Sequence, residues 1–172
     1  PTLIKYLEKL KNTGIVFTSP NSDPGNLAIK KIIKKFCKQN SKKFKYVKSM
    51  GQKLYFSYLR YCNVVIGNSS SGIIEAPSLG IPTINIGLRQ KGRIQSSSVI
   101  NTSYSIKLFK KAIAKIYSKK FQKKIKKNKN PYFQKNTSEK ILKILKKRKI
   151  MKSKDLNKKM FYDIKKYGKY FS

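Results

Sequence analysis

The run Asn63-Val64-Val65-Ile66-Gly67-Asn68-Ser69-Ser70-Ser71-Gly72-Ile73-Ile74-Glu75-Ala76-Pro77 constrains this chain more than any other stretch. Apolar β-branched residues lead into a turn of glycine, asparagine and serines, and an apolar segment follows at helical spacing. The pattern predicts a strand, a small-residue turn over Asn68 to Gly72, and a short helix reaching about Leu79. In α/β proteins such a junction is a natural anion site. Backbone N–H groups are free at a helix N-terminus, hydroxyls stand beside them, and the helix dipole favours negative charge. Glu75, one turn into that helix, is then within reach of sugar hydroxyls. Gly80-Ile81-Pro82-Thr83-Ile84-Asn85-Ile86-Gly87-Leu88-Arg89-Gln90 adds a second strand that ends in a glycine and a cation.

The same alternation extends through the first half of the chain. Leu3, Ile4, Leu7 and Leu10 predict a helix stopped by Gly14, and Ile15 to Thr18 a strand. The turn-rich segment Ser19 to Asn26 precedes a helix marked by Ile29, Ile32, Ile33 and Phe36. Phe44 to Val47 reads as a strand, Leu54, Tyr58, Leu59 and Cys62 as a helix, Val64 to Ile66 as a strand, and Thr83 to Ile86 as another. Strands alternating with helices of this length require right-handed crossovers, so the expected fold class is α/β: a Rossmann-like parallel sheet with helices on both faces. Ligands of such sheets bind at the carboxyl ends of the strands. Asn21 and Asp23, Ser69, Ser70 and Glu75, and Arg89 all follow strands, which places them on one rim. Taken singly each has a plainer reading: serine as a helix cap, Glu75 as a dipole partner, Asn21 and Asp23 as turn residues, Arg89 as a surface cation.

Beyond Val99 the pattern changes to amphipathic helices, one through Ile106, Phe109, Ile113 and Ile116 and one through Ile141, Leu142, Leu145 and Ile150, joined by the Lys/Asn stretch Lys123 to Asn130. Residues 1–150 are expected to form one domain, and 151–172 a basic aromatic tail, either loosely held or docked on anionic lipid.

Charge sets the competing reading. The chain carries a formal charge of +36, built from 42 Lys and Arg against 6 Asp and Glu, and only Arg60, Arg89, Arg93 and Arg148 are arginines. A nucleic-acid reader draws more heavily on Arg, whose guanidinium makes bidentate contacts to phosphate and guanine. Leu54 to Ile106 holds only Arg60, Glu75, Arg89, Lys91 and Arg93 as charged residues, so the candidate rim lies in the least basic part of the chain. The lysine excess therefore reads as solvated helix faces, with a non-catalytic nucleotide- or polyanion-binding module as the alternative and nucleic acid as an unlikely partner. Cys37 and Cys62 form no CxxC pair and the chain has no histidine, so neither a metal site nor a cysteine–histidine nucleophile is expected, and no cofactor is called for. Free thiols, the lack of an apolar run long enough to span a bilayer and the lack of a signal-peptide pattern point to a cytoplasmic protein without a membrane segment.

Three stretches in order, Pro20-Asn21-Ser22-Asp23-Pro24-Gly25, then Ile66 to Ala76, then Gly80 to Arg93, resemble the hydrolysing UDP-N-acetylglucosamine 2-epimerases of sialic acid and related nonulosonate synthesis. The resemblance covers roughly residues 14 to 148 and implies the C-terminal, nucleotide-binding half of a glycosyltransferase-B-type fold. It implies that Ser69 and Ser70 hold the UDP phosphates, that Glu75 accepts hydrogen bonds from the ribose, and that Arg89 lies near the diphosphate. By the same resemblance Asn21 and Asp23 face the sugar nucleotide, and the backbone at Ser49 and Met50 meets the uracil. The implied reaction eliminates UDP through a 2-acetamidoglucal and then adds water, giving the 2-epimer and free UDP.

The sequence also departs from the family. The N-terminal domain with its catalytic carboxylates has no counterpart, nor has a histidine expected before the first strand of this domain. Leu88 replaces a polar residue usual before the Arg-Gln pair. The expectation is a C-terminal fragment or split gene product, which binds UDP weakly and is inactive by itself. It would act with an N-terminal domain or partner chain, and homodimerisation is implied by resemblance alone.

Overall fold

The computed structural model describes residues 2–147. Helix and strand alternate as α1 (Thr2–Glu8), β1 (Ile15–Thr18), α2 (Asn26–Gln39), β2 (Phe44–Val47), α3 (Gly51–Leu59), β3 (Val65–Gly67), α4 (Ser71–Ile74), β4 (Thr83–Ile86), β5 (Val99–Thr102), α5 (Ile106–Tyr117), α6 (Lys119–Lys126) and α7 (Thr137–Lys147). One compact unit ends at Phe133 and a second begins at Gln134. Helix α7 belongs to the second unit; everything described below lies in the first. The expected tail over 151–172 and the helix end at Ile150 fall outside the described residues.

All strand pairs are parallel. β1 lies beside β2 with Ile15 opposite Phe44, β3 beside β4 with Val65 opposite Thr83, and β4 beside β5 with Thr83 opposite Val99. This is the expected Rossmann-like α/β architecture, parallel strands in open sheets flanked by helices. It departs from expectation in one respect: the strands form a two-stranded sheet, β1–β2, and a three-stranded sheet, β3–β4–β5, with no ladder between β1 and β3 among the described residues.

The two sheets nevertheless share a core. Leu7, Ile84, Phe109, Ala112, Ile116, Phe121 and Ile125 form one buried cluster, and Ile33, Cys37 and Phe44 another; Ile15 and Phe17 of β1 pack against both. On α5, Phe109, Ala112 and Ile116 recur at helical spacing and are buried, so this face docks the helix on the sheet. On α2 the buried pair is Ile33 and Cys37, while Ile29 and Ile32 are about half exposed (49% and 46%) and lie toward solvent.

Two elements arise where the sequence pattern gave no warning. Strand β5 is half polar, and its Asn101 Oδ1 accepts from Asn85 Nδ2 of β4 at 2.8 Å, a cross-strand amide pair in place of an apolar one. Helix α6 holds only Phe121 and Ile125 as apolar residues, four apart and both buried, among lysines that face solvent.

Candidate functional site

The turn after β3 is built from its own serines. Ser70 carbonyl accepts from the N–H groups of Ile73 and Ile74, both at 2.9 Å, and starts α4, while Ser69 Oγ accepts from Ser71 N–H at 3.3 Å. The helix is shorter than expected, four residues ending at Ile74, and a 3-10 turn, Ala76–Leu79, takes over with Pro77 in its first turn. Proline has no N–H to continue an α-helical ladder, so the helix breaks at Glu75. Four residues sum little dipole. An anion at this turn would accordingly meet hydroxyls more than a helix terminus.

Gly72 sets how close this turn comes to the sheet. A Cβ there would stand 2.6 Å from Thr83 Cγ2. Without one, Thr83 Oγ1 donates to the Gly72 carbonyl at 2.7 Å in a buried position. The break at Glu75 is held from a distance: Asn130 Nδ2 donates to the Ile74 carbonyl at 2.7 Å and to Ser78 Oγ at 2.6 Å.

Three rim loops are joined by two consecutive residues after β4. Arg89 reaches the loop after β1, where its Nη2 lies 3.7 Å from Asp23 Oδ2. With the Asn21 amide turned so that its oxygen faces the guanidinium, Asn21 accepts from Nη1 and Nη2 at 3.1 and 2.8 Å. Gln90, 3% exposed, points the other way and its Nε2 donates to the Asn68 carbonyl at 2.8 Å, beside Ser69. Arg89 and Gln90 are the two central residues of a turn closed by Lys91 N–H donating to the Leu88 carbonyl at 2.9 Å, and from it one dipeptide grips two loops.

Tyr55 of α3 bonds through its hydroxyl to Ser71 Oγ. Burial pushes its phenol above the ordinary 10.0; the bond to Ser71 opposes the rise, and Glu75 and Cys62 add to it. Glu75 is thus close enough to Tyr55 for its charge to be felt, at the hinge between α4 and the 3-10 turn.

The structure therefore gathers Asn21, Asp23 and Arg89 directly and ties Ser69 to them through Asn68 and Gln90. Ser70 and Glu75 stand at the two ends of α4. Met50 sits at the exit of β2, immediately before α3, and takes no part in the bonds that join the other loops. Gln90 and Tyr55 were not singled out by their sequence surroundings. Gln90 had one signal, its place directly after the basic residue; Tyr55 resembled any aromatic on an amphipathic helix. Among the described residues no three His, Cys, Asp or Glu side chains come together as a metal site, and no helix is long and apolar enough to cross a membrane.

Comparison with known proteins identifies the family. The family model described as UDP-N-acetylglucosamine 2-epimerase matches residues 2–146. A GDP/UDP-N,N'-diacetylbacillosamine 2-epimerase (hydrolyzing) of Campylobacter jejuni is 40% identical over 121 residues, covering 70% of this chain and 31% of that protein. Polysialic acid biosynthesis protein P7 of Escherichia coli is 38% identical over 163 residues, 94% of this chain and 41% of its own length. A UDP-N-acetylglucosamine 2-epimerase of Neisseria meningitidis is 34% identical over 105 residues, 60% of this chain and 27% of the relative. The chain thus spans well under half the length of these relatives. With the family model matching nearly the whole described chain, it belongs to the UDP-N-acetylglucosamine 2-epimerase family.

Proposed function

We propose that the rim loops bind the UDP part of a UDP-sugar, and that within a longer protein or a complex they hold the leaving group of a hydrolysing 2-epimerase. The observation that carries this reading is the Arg89 guanidinium held by Asn21 and Asp23, beside Gln90, which anchors the serine turn at Asn68. Ser69 and Ser70 offer hydroxyls to the phosphates, Arg89 faces the diphosphate, Glu75 accepts from the ribose, and the backbone at Met50 meets the base.

The chemistry needs such a grip. A base removes the proton on C2 of the sugar, the C1–O bond breaks, and UDP departs with the electron pair, leaving a 2-acetamidoglucal. Water then adds across the double bond, giving N-acetylmannosamine when the sugar is N-acetylglucosamine. Negative charge develops on the β-phosphate as the bond breaks, so a guanidinium and hydroxyls already in position stabilise the transition state with little reorganisation. Among the described residues the rim supplies only Asp23 and Glu75 as carboxylates, and both have binding or orienting work. The groups that move the C2 proton and position water are assigned to polypeptide outside residues 1–172, so the isolated chain binds UDP without turnover.

Calorimetric titration of the chain with UDP tests this. Saturable heat is expected, reduced by Ser70→Ala and by Arg89→Ala, with GDP as the comparison for base preference. No response at millimolar UDP, and no change in an enzyme reconstituted with Ser70→Ala, would sink the reading. The charge of +36 favours one second reading, a polyanion-binding module. RNA mobility shifts with a steep salt slope and no competition by UDP would support it.

A further inference from the structure

Three polar side chains of α3 and α4 come together beside the serine turn. Glu75 follows Ser71 by four residues, and its N–H donates to the Ser71 carbonyl at 2.9 Å, so the two side chains share one face of α4. Tyr55 closes on that face from α3. Its hydroxyl bonds Ser71 Oγ; burial raises its phenol most, and the charge of Glu75 adds to the rise. Two hydroxyls hold two protons, and the bond between them uses one. Neither hydroxyl has another partner among the described residues, so whichever oxygen donates, one O–H is left over. Glu75 offers the opposite function. Its half-buried carboxylate has neither a hydrogen bond nor an ion pair among the described residues, although the chain carries 42 basic residues against 6 acidic ones. Such a carboxylate repels phosphate and accepts from hydroxyls. A neutral diol suits a site with an acceptor and a spare donor, because each of its hydroxyls both donates and accepts.

We propose that Tyr55 and Ser71 are the donor arm of a ribose clamp whose acceptor arm is Glu75, and that the clamp selects a nucleotide with an intact ribose diol. It rests on the UDP reading of the rim and adds to that reading the two residues that complete the contact with the ribose. Glu75 accepts from the ribose hydroxyls, and the spare proton of the Tyr55–Ser71 pair goes to one of their oxygens. A lone serine hydroxyl rotates freely, whereas the bond to a half-buried phenol holds Ser71 Oγ in place and polarises the outward O–H. The placement along the chain fits a nucleotide. Helix α3 starts at Gly51, directly after Met50 at the base end, and Tyr55 lies in its second turn. Ser71 adjoins Ser70 at the phosphate end. Met50, then Tyr55 with Ser71 and Glu75, then Ser70 thus follow the order base, ribose, phosphate.

Calorimetric titration of the full chain with UDP, 2′-deoxy-UDP, 3′-deoxy-UDP and inorganic pyrophosphate tests it. The unmodified chain should prefer UDP to both deoxy forms; no preference over either overturns the clamp without any variant. Tyr55→Phe keeps the ring and removes the oxygen. It is expected to weaken UDP about three- to tenfold, to leave pyrophosphate unchanged, and to shrink the preference for UDP over at least one deoxy form by the same factor. Ser71→Ala should do the same, and the double variant should lose no more than either single one, because the two hydroxyls act as a unit. Equal weakening of all four ligands marks a loosened serine turn and overturns the proposal, as does full additivity. Arg89→Ala separates the two readings, since it should weaken UDP and pyrophosphate alike. With that loss seen and the Tyr55→Phe preference unchanged, the clamp alone is wrong; with neither UDP nor pyrophosphate bound by the unmodified chain, the UDP reading falls and the clamp with it.

Discussion

Arg89 and Gln90 show how much two side chains determine. Arg89→Lys keeps the charge but loses the fork that Asn21 accepts from. Arg89 is partly exposed (42%), so the loss is modest, and UDP affinity measured by calorimetry is expected to fall about five- to tenfold, near 1 kcal/mol. Gly72 is constrained by space. Gly72→Ala drives a methyl into Thr83 Cγ2 and is expected to cost about 1–3 kcal/mol in urea unfolding. Thr83→Ser removes that methyl and keeps the hydroxyl, so the double variant should recover part of the loss; strict additivity would show that the clash is not the cause. At this scale the sequence was legible for residue type at strand ends: Asn21, Asp23, Ser69, Ser70 and Arg89 could be placed on a rim from their positions alone. Their bonds could not be read, because the direction in which Arg89 or Gln90 points depends on the approach of loops that lie 22 or more residues away.

Among the elements, β1, β2 and β4 form over the residues their patterns predict, since four-residue runs rich in β-branched and aromatic side chains between turn formers leave little freedom. Strand β5 and helix α6 escaped for different reasons. The former replaces apolar alternation with an amide pair, and the latter buries just two side chains. With so little apolar area, α6 depends on its cap. Ser118 Oγ accepts from Phe121 N–H at 3.3 Å and donates to Lys115 carbonyl at 2.8 Å, joining α5 to α6. Ser118→Ala is expected to lower stability by about 0.5–2 kcal/mol in denaturant titration, with loss of helical circular dichroism ahead of the main transition. The gap between β1 and β3 was not legible, because pattern identifies strands but not which of them touch.

For the molecule as a whole, two expectations follow from charge. Burial holds the Cys37 and Cys62 thiols above 9.0 and the Tyr55 phenol above 10.0, so each stays protonated in the folded chain after its unfolded counterpart has ionised. The folded state then binds more protons at these three groups, and their contribution to stability should be lost as pH rises through 9 to 10 and beyond. Tyr55→Phe should flatten the upper part of that fall; an unchanged profile would place the sensitivity elsewhere. At +36 the chain also repels itself, and its Tm should rise as NaCl shortens the screening length from about 30 Å at 0.01 M to about 10 Å at 0.1 M.

The amide of Asn130 has a consequence for how the molecule is made. It closes the carbonyl of Ile74, 56 residues earlier in the chain. At about 5–20 residues per second, a ribosome needs several seconds to add that distance. Throughout that interval the nascent chain holds the serine turn and the strands beside it without the clamp at the Glu75 hinge. The order of synthesis thus makes the locking of the rim one of the last events in the assembly of this unit, and a chain stalled before Asn130 would present the turn while it is still free to rearrange.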